Sequence, residues 1–172
     1  MSLHPVIFLD FDDVIALSRP GEFGGYDVIA PNPPPELWRR LFHVPATQVL
    51  LEALAEHDAR VVITTSWLRF MLRDGFERVF IMTGLEVLNE RMHDAWKAPQ
   101  NHGETRAQAI NRWLAAHHRG EPYVVLDDEL SGTGLRNSVH EQRARLVLCH
   151  ENVGLHRGHL PYIRSALSNP VT

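Results

Sequence analysis

Val6-Ile7-Phe8-Leu9-Asp10-Phe11-Asp12-Asp13 decides how the chain is read. Four consecutive apolar residues describe a strand buried on both faces, and the change to carboxylates at Asp10 marks its carboxyl end. The same change occurs twice more. Arg60 to Thr64 runs into Thr65-Ser66, and Tyr123 to Leu126 runs into Asp127-Asp128-Glu129. Arg145 to Cys149 is the fourth predicted strand. Helical patterns separate them. Ala46 to His57 sets Val49, Leu50, Leu54 and Ala55 on one side, behind a Pro45 suited to a first helical turn. Arg106 to His118 aligns Ile110, Trp113 and Leu114 and is stopped by Gly120 and Pro122. Trp67 to Thr83 reads as a helix interrupted around Asp74-Gly75, and Leu160 to Leu167 as the last helix. Strands alternating with helices imply right-handed crossovers and a three-layer α/β sandwich around a mostly parallel sheet.

A chain of 172 residues, 44% hydrophobic and 22% charged, has the composition of one folded domain spanning 1–172. The proline-rich stretch Pro31 to Pro35 is too short to divide it. A net charge of −4 exerts no global pull toward nucleic acid or an anionic membrane, so a polyanionic partner must be held locally. The single cysteine, Cys149, excludes an internal disulfide and a thiolate metal cluster, and reads as a small core residue. No stretch approaches the ~20 apolar residues of a membrane helix, and Met1 to Pro5 leads straight into a strand pattern. A soluble cytoplasmic protein is the expectation.

Ligands of parallel α/β sheets bind at the carboxyl ends of the strands, where the polar clusters of this chain fall. Any one cluster is explained by helix capping. Capping does not explain Asp10-x-Asp12, Thr64-Thr65-Ser66 and Asp127-Asp128 on three strand ends together. Carboxylates converging in a partly dehydrated cleft repel one another strongly, and a hard divalent cation with oxygen ligands, such as Mg²⁺, relieves that repulsion.

Phe8-Leu9-Asp10-Phe11-Asp12-Asp13-Val14 resembles the first motif of the haloacid dehalogenase (HAD)-like phosphohydrolases, Ile63-Thr64-Thr65-Ser66 their second and Leu126-Asp127-Asp128 their fourth. The resemblance covers the whole chain in order. It implies a Rossmann-like sheet and a Mg²⁺-dependent phosphatase working through an aspartyl-phosphate. Asp10 would be the nucleophile and a metal ligand. Asp12 would be the general acid and base, with its backbone carbonyl on the metal. Asp127 and Asp128 would hold the metal directly or through water, with Glu129 a solvated neighbour. Thr65 would donate to a phosphate oxygen, with Ser66 beside it and Thr64 as the alternative in register. The third motif, a cation near the phosphate, falls on Arg106 by position or on Lys97, the only lysine.

Ile15 to Pro45 is too short for a separate cap domain and reads as a flap and loop, with Gly24-Gly25 as a hairpin turn. Trp67 to Thr105 is filled by helix and connection. The cleft is therefore expected to be open to a phosphorylated small molecule or a macromolecular end. The chain most resembles small cap-poor members, such as the phosphatase domains of polynucleotide repair enzymes and the deoxynucleotidases. Trp38-Arg39-Arg40 and Trp67-x-Arg69 place an aromatic beside a cation near that cleft, although amphipathic helix faces with a core Trp and a solvated Arg explain them better. His150, His156 and His159 lack the carboxylate or cysteine company of a zinc site. Trp96 and Trp113 read as core. Two other readings fit parts of the pattern, a receiver-like phospho-accepting signalling domain and an inactive binding protein with the same fold. The absence of a lone aspartate after a mid-chain strand counts against the first.

Overall fold

The computed structural model describes residues 3–129 and 133–171. Residues 1 and 2 of the lead-in to the first strand, and residues 130–132 and 172 of the predicted domain span, lie outside the described residues. Five parallel strands form one sheet in the order β3-β2-β1-β4-β5, with β1 (Val6–Leu9) at its centre, flanked by β2 (Arg60–Ile63) and β4 (Tyr123–Asp128). β3 (Met92–Lys97) and β5 (Leu146–Cys149) are the edges. This is the predicted α/β Rossmann-like sandwich.

Alternation along the strands assigns the two layers. Ile7, Leu9, Val61, Ile63, Val124 and Leu126 face a core shared with α3 (Val44–His57), α4 (Arg73–Met82) and α8 (Leu160–Ser168). Val6, Phe8, Val62, Tyr123 and Val125 face a smaller core closed by Ala107, Ile110 and Trp113 of α6 (Arg106–His117). The central strands are buried on both faces, as their unbroken apolar runs require.

Several local expectations are corrected. β3 lies in a segment read as helix and connection. Only Met92 is buried, polar and apolar residues are mixed along it, and its pairing with β2 shifts register between Val61 and Ile63, so it carries no apolar run to announce it. Gly24-Gly25 does not turn a hairpin. Gly24 caps α1 (Gly25–Val28), accepting at its carbonyl from Asp27 N while Asp27 Oδ2 accepts from Gly24 N at 2.7 Å. The stretch between β1 and α3 then holds only α1 and α2 (Leu37–Arg40) as helices. The helical pattern from Trp67 breaks at Phe70 to Leu72, after a 3₁₀ turn over Ser66–Arg69, and Asp74 and Gly75 lie in the first turn of α4. β4 runs through Asp128, because Asp127 and Asp128 pair in register with Leu148 and Cys149.

On the smaller core, Tyr123 packs edge-on against Phe8, with ring centroids 5.8 Å apart, and its hydroxyl is hydrogen-bonded with Nδ1 of His140 at 2.8 Å. His140, on α7 (Val139–Gln142), is fully buried, and its Nε2 has no partner among the described residues. Burial, helped by Arg143, lowers its pKa to about 4. The unfolded chain protonates this histidine below about pH 6.5 while the folded chain resists, so the stabilisation is present above pH 6.5 and is lost as pH falls toward 4. Urea unfolding of wild type and His140→Gln checks this. The stability difference between them should narrow by about 2 kcal/mol between pH 7 and pH 5, and a constant difference would contradict the assignment.

Candidate active site

Register builds the site. Leu9 pairs with Ile63 on one side and Leu126 on the other, so the next residues, Asp10, Thr64 and Asp127, form one row across three strands. Thr64 N donates to Leu9 O at 2.9 Å and Asp10 N to Leu126 O at 3.0 Å, which carries the ladder into that row. With a side-chain period of two, the row lies on the same face as Phe8, Val62 and Val125, the face covered by α6.

The first residue of α6 is Arg106. Thr105 caps the helix, accepting from Gln108 N at 3.2 Å while Gln108 Oε1 accepts from Thr105 N at 2.9 Å. The guanidinium of Arg106 enters the row. Its Nη1 lies 2.9 Å from Asp127 Oδ2, 3.3 Å from Asp10 Oδ1 and 3.3 Å from Thr64 Oγ1, and its Nε donates to Gln100 Oε1 at 3.1 Å. Arg106 is 4% exposed and Asp127 fully buried. Burial works against the charge on Arg106, but Asp10, Asp127 and Asp128 more than offset it and raise its pKa. Lys97, the other predicted cation, is exposed at the end of β3 with Nζ 5.3 Å from the Trp96 ring centroid.

Asp128 lies beside this pair, and ligand oxygens of Asp10, Asp127 and Asp128 fall within 4.8 Å of one another. Burial pushes the Asp10 carboxyl up to about 6, against the pull of Arg106 and with further push from Asp12. Burial also raises Asp127 well above the usual carboxylate range, with Asp10 adding to it. Three carboxylates against one guanidinium leave a formal excess of two negative charges. A dication balances that excess, and an all-oxygen donor set suits a hard one. The residues therefore fit Mg²⁺. Among the described residues no comparable group includes His150, His156 or His159. His156 and His159 stack with centroids 3.8 Å apart, and His150 pairs with Glu129, which also meets Arg136.

The loop after β1 is built separately. Asp13, at φ +56°, accepts at Oδ1 from Ser18 N at 3.0 Å and Asn152 N at 2.9 Å. This short polar side chain tolerates the left-handed region and ties down both segments. Asp12 is half-buried, and its Oδ2 accepts from Trp67 Nε1 at 3.0 Å. Burial raises its pKa, while that indole hydrogen bond opposes the rise. Thr65, 1% exposed, caps the 3₁₀ turn by accepting from Trp67 N at 3.4 Å, with Ser66 half-buried beside it.

The model of one protein family, the HAD domain in Swiss Army Knife RNA repair proteins, matches residues 6–160. The chain belongs to this family. No curated protein and no solved structure matches it. Membership makes it a HAD-like domain of the polynucleotide-repair phosphatase type, with the general character of a phosphatase. No helix among the described residues is long and apolar enough to cross a membrane.

Sequence reasoning missed two contributors. Gln100, which orients Arg106, lies in a loop with no local signal. Trp67 is notable in the sequence for its place beside Arg69, but nothing in its spacing predicts a hydrogen bond to Asp12. Among the other tryptophans, Trp113 is buried and donates to Ala95 O at 2.8 Å, while Trp96 and Trp38 are only half-buried. Removing Arg106 strands buried carboxylates. Arg106→Ala should therefore lower unfolding stability by about 3–5 kcal/mol, and Lys97→Ala by less than about 0.5 kcal/mol. Equal losses in urea titrations would contradict the distinction between the two cations.

Proposed function

We propose that the protein is a Mg²⁺-dependent phosphatase that hydrolyses a phosphate monoester, on a nucleic-acid end or a nucleotide, through an aspartyl-phosphate. The convergence of Asp10, Asp127 and Asp128 within 4.8 Å around one buried guanidinium carries this reading. Family membership supports it, since the matched domain is that of RNA repair proteins. Asp10, Asp127 and Asp128, with the Asp12 backbone carbonyl, would hold the ion. When bound, Mg²⁺ neutralises charge that would otherwise keep a carboxylate away from a phosphate dianion.

The chain's own residues supply the rest. Asp10 attacks phosphorus, forming an Asp10–O–P bond as the bond to the leaving oxygen breaks. Asp12 donates the proton that this oxygen takes up. It then withdraws a proton from the water that attacks the phospho-aspartate and frees Asp10 with release of phosphate. Burial favours the protonated form of Asp12 needed at the start, and Trp67 Nε1 holds the carboxylate at one oxygen. Thr65 accepts from a backbone N–H, which leaves its hydroxyl hydrogen for a phosphate oxygen. Arg106 pairs with Asp10 and offsets charge at the transferring phosphoryl group.

The stretch between β1 and α3 holds two four-residue helices, too little for a separate cap domain, which suits a substrate attached to a larger molecule. Asp10→Asn should reduce p-nitrophenyl phosphate turnover at least about a thousandfold while leaving the circular dichroism spectrum unchanged. Chelation by EDTA should abolish wild-type turnover and added Mg²⁺ restore it. Undiminished hydrolysis by Asp10→Asn, or turnover indifferent to EDTA, would reject the mechanism.

A further inference from the structure

The flap carries an aromatic ring that the catalytic groups do not use. Tyr26, on α1, is 77% exposed and stacks on Phe70 with ring centroids 4.8 Å apart and an interplanar angle of 24°. Phe70 is half-buried and packs against the larger core, so the stack fixes the tyrosine ring from behind while most of it stays open to solvent. A large exposed aromatic held in one orientation loses little entropy when a flat group covers it.

Its position relative to the reacting groups follows from its neighbour. A methyl group added at Gly25 would come within 2.8 Å of Trp67 Cε2 and 2.7 Å of Phe70 Cζ. Cε2 is bonded to the same Nε1 that donates to Asp12. One indole ring therefore separates the flap helix from the Asp12 carboxylate. Glycine at 25 permits that approach, and Tyr26 follows it directly. Asp12 protonates the leaving oxygen in the proposed reaction, so whatever that oxygen belongs to lies on the Asp12 side. Two exposed cations belong to the same end of the sheet. Arg69 closes the 3₁₀ turn after Thr65, and Lys97 ends β3 opposite Ile63.

We propose that Tyr26, backed by Phe70, is a stacking platform for a nucleobase of the leaving group, and that Arg69 and Lys97 meet the phosphodiesters beyond it. The inference rests on the phosphatase reading for the location of the leaving group and on the Tyr26–Phe70 stack for the ligand class. Base–aromatic stacking is tolerant of sequence, as cleaning a terminus demands, and cations on the rim allow local attraction in a chain of net charge −4.

The test compares, with Mg²⁺ present, an oligoribonucleotide bearing a terminal phosphate, 3′ and 5′ in separate assays, with glycerol phosphate, which has no ring. Tyr26→Ala should lower the ratio of the two kcat/KM values roughly tenfold to a hundredfold, chiefly through the oligonucleotide KM, and Tyr26→Phe should preserve it. An unchanged ratio in Tyr26→Ala overturns the platform. Fluorescence anisotropy of a labelled, hydroxyl-ended oligoribonucleotide gives a readout independent of turnover. Its Kd should rise by a similar factor in Tyr26→Ala and stay near wild type in Tyr26→Phe, and equal Kd values for wild type and Tyr26→Ala also overturn it. A wild-type protein that binds this probe in a Tyr26-dependent way yet hydrolyses no phosphate ester would reject the phosphatase reading while upholding the platform.

Discussion

A guanidinium buried at the first turn of α6, within 3.3 Å of carboxylates at the ends of two different strands, sets the terms for the rest of the molecule. Isolated charges are not tolerated at this depth. Asp127 is fully buried and Asp10 nearly so, and each is compatible with folding because Arg106 lies between them. The arrangement places demands on its neighbours in turn. The Thr105–Gln108 capping box starts the helix at the right residue, Ala107 N finds Thr133 O at 2.9 Å, and Gln100 holds the far side of the guanidinium. The pair does not neutralise the site. The negative charge left over suits the site to a cation.

A second set of contacts shapes the approach to that centre. Asp13 draws the turn after β1 and the loop after β5 together through backbone amides, and Leu155 N adds a bond to Val14 O at 2.8 Å. Gly154, at φ +72°, lies so close that an added methyl would be 2.8 Å from Val14 O. On the opposite side, Trp67 joins the end of β2 to Asp12 and provides the surface on which Gly25 and the flap helix rest. Asp10, the proposed nucleophile, therefore stands at the end of a sheet strand, and Asp12, the proposed proton donor, in a turn clamped from both sides. Charge compensation and proton transfer come from different parts of the fold, so each can be perturbed without removing the other.

Much of the sheet was legible because its inner strands are buried on both faces and so must be written as unbroken apolar runs. Val6 to Leu9, Val61 to Ile63 and Tyr123 to Leu126 are such runs. The edge strand β3 was not legible. Met92-His93-Asp94-Ala95-Trp96-Lys97 is only partly covered and pairs irregularly, so nothing obliges its composition to announce a strand. Gly24-Gly25 misleads for a related reason. Local turn chemistry permits a hairpin there, but the close approach to Trp67 and Phe70, which no local rule contains, settles a helix.

The order of residues alone determined that carboxylates and hydroxyls follow three strands, since a strand must end where its apolar run stops and the polar residues then stand at the sheet's carboxyl edge. It also determined that a cation opens the helix before β4. Only the tertiary structure decided which cation enters the cleft. Arg106 and Lys97 are both within reach by sequence, and the outcome depends on register. Asp10, Thr64 and Asp127 fall on the face that α6 covers, and Lys97 ends an edge strand beside solvent. Chain order carries no information about which face of a pleated sheet a distant helix will lie on. That is settled by how two hydrophobic cores share one sheet.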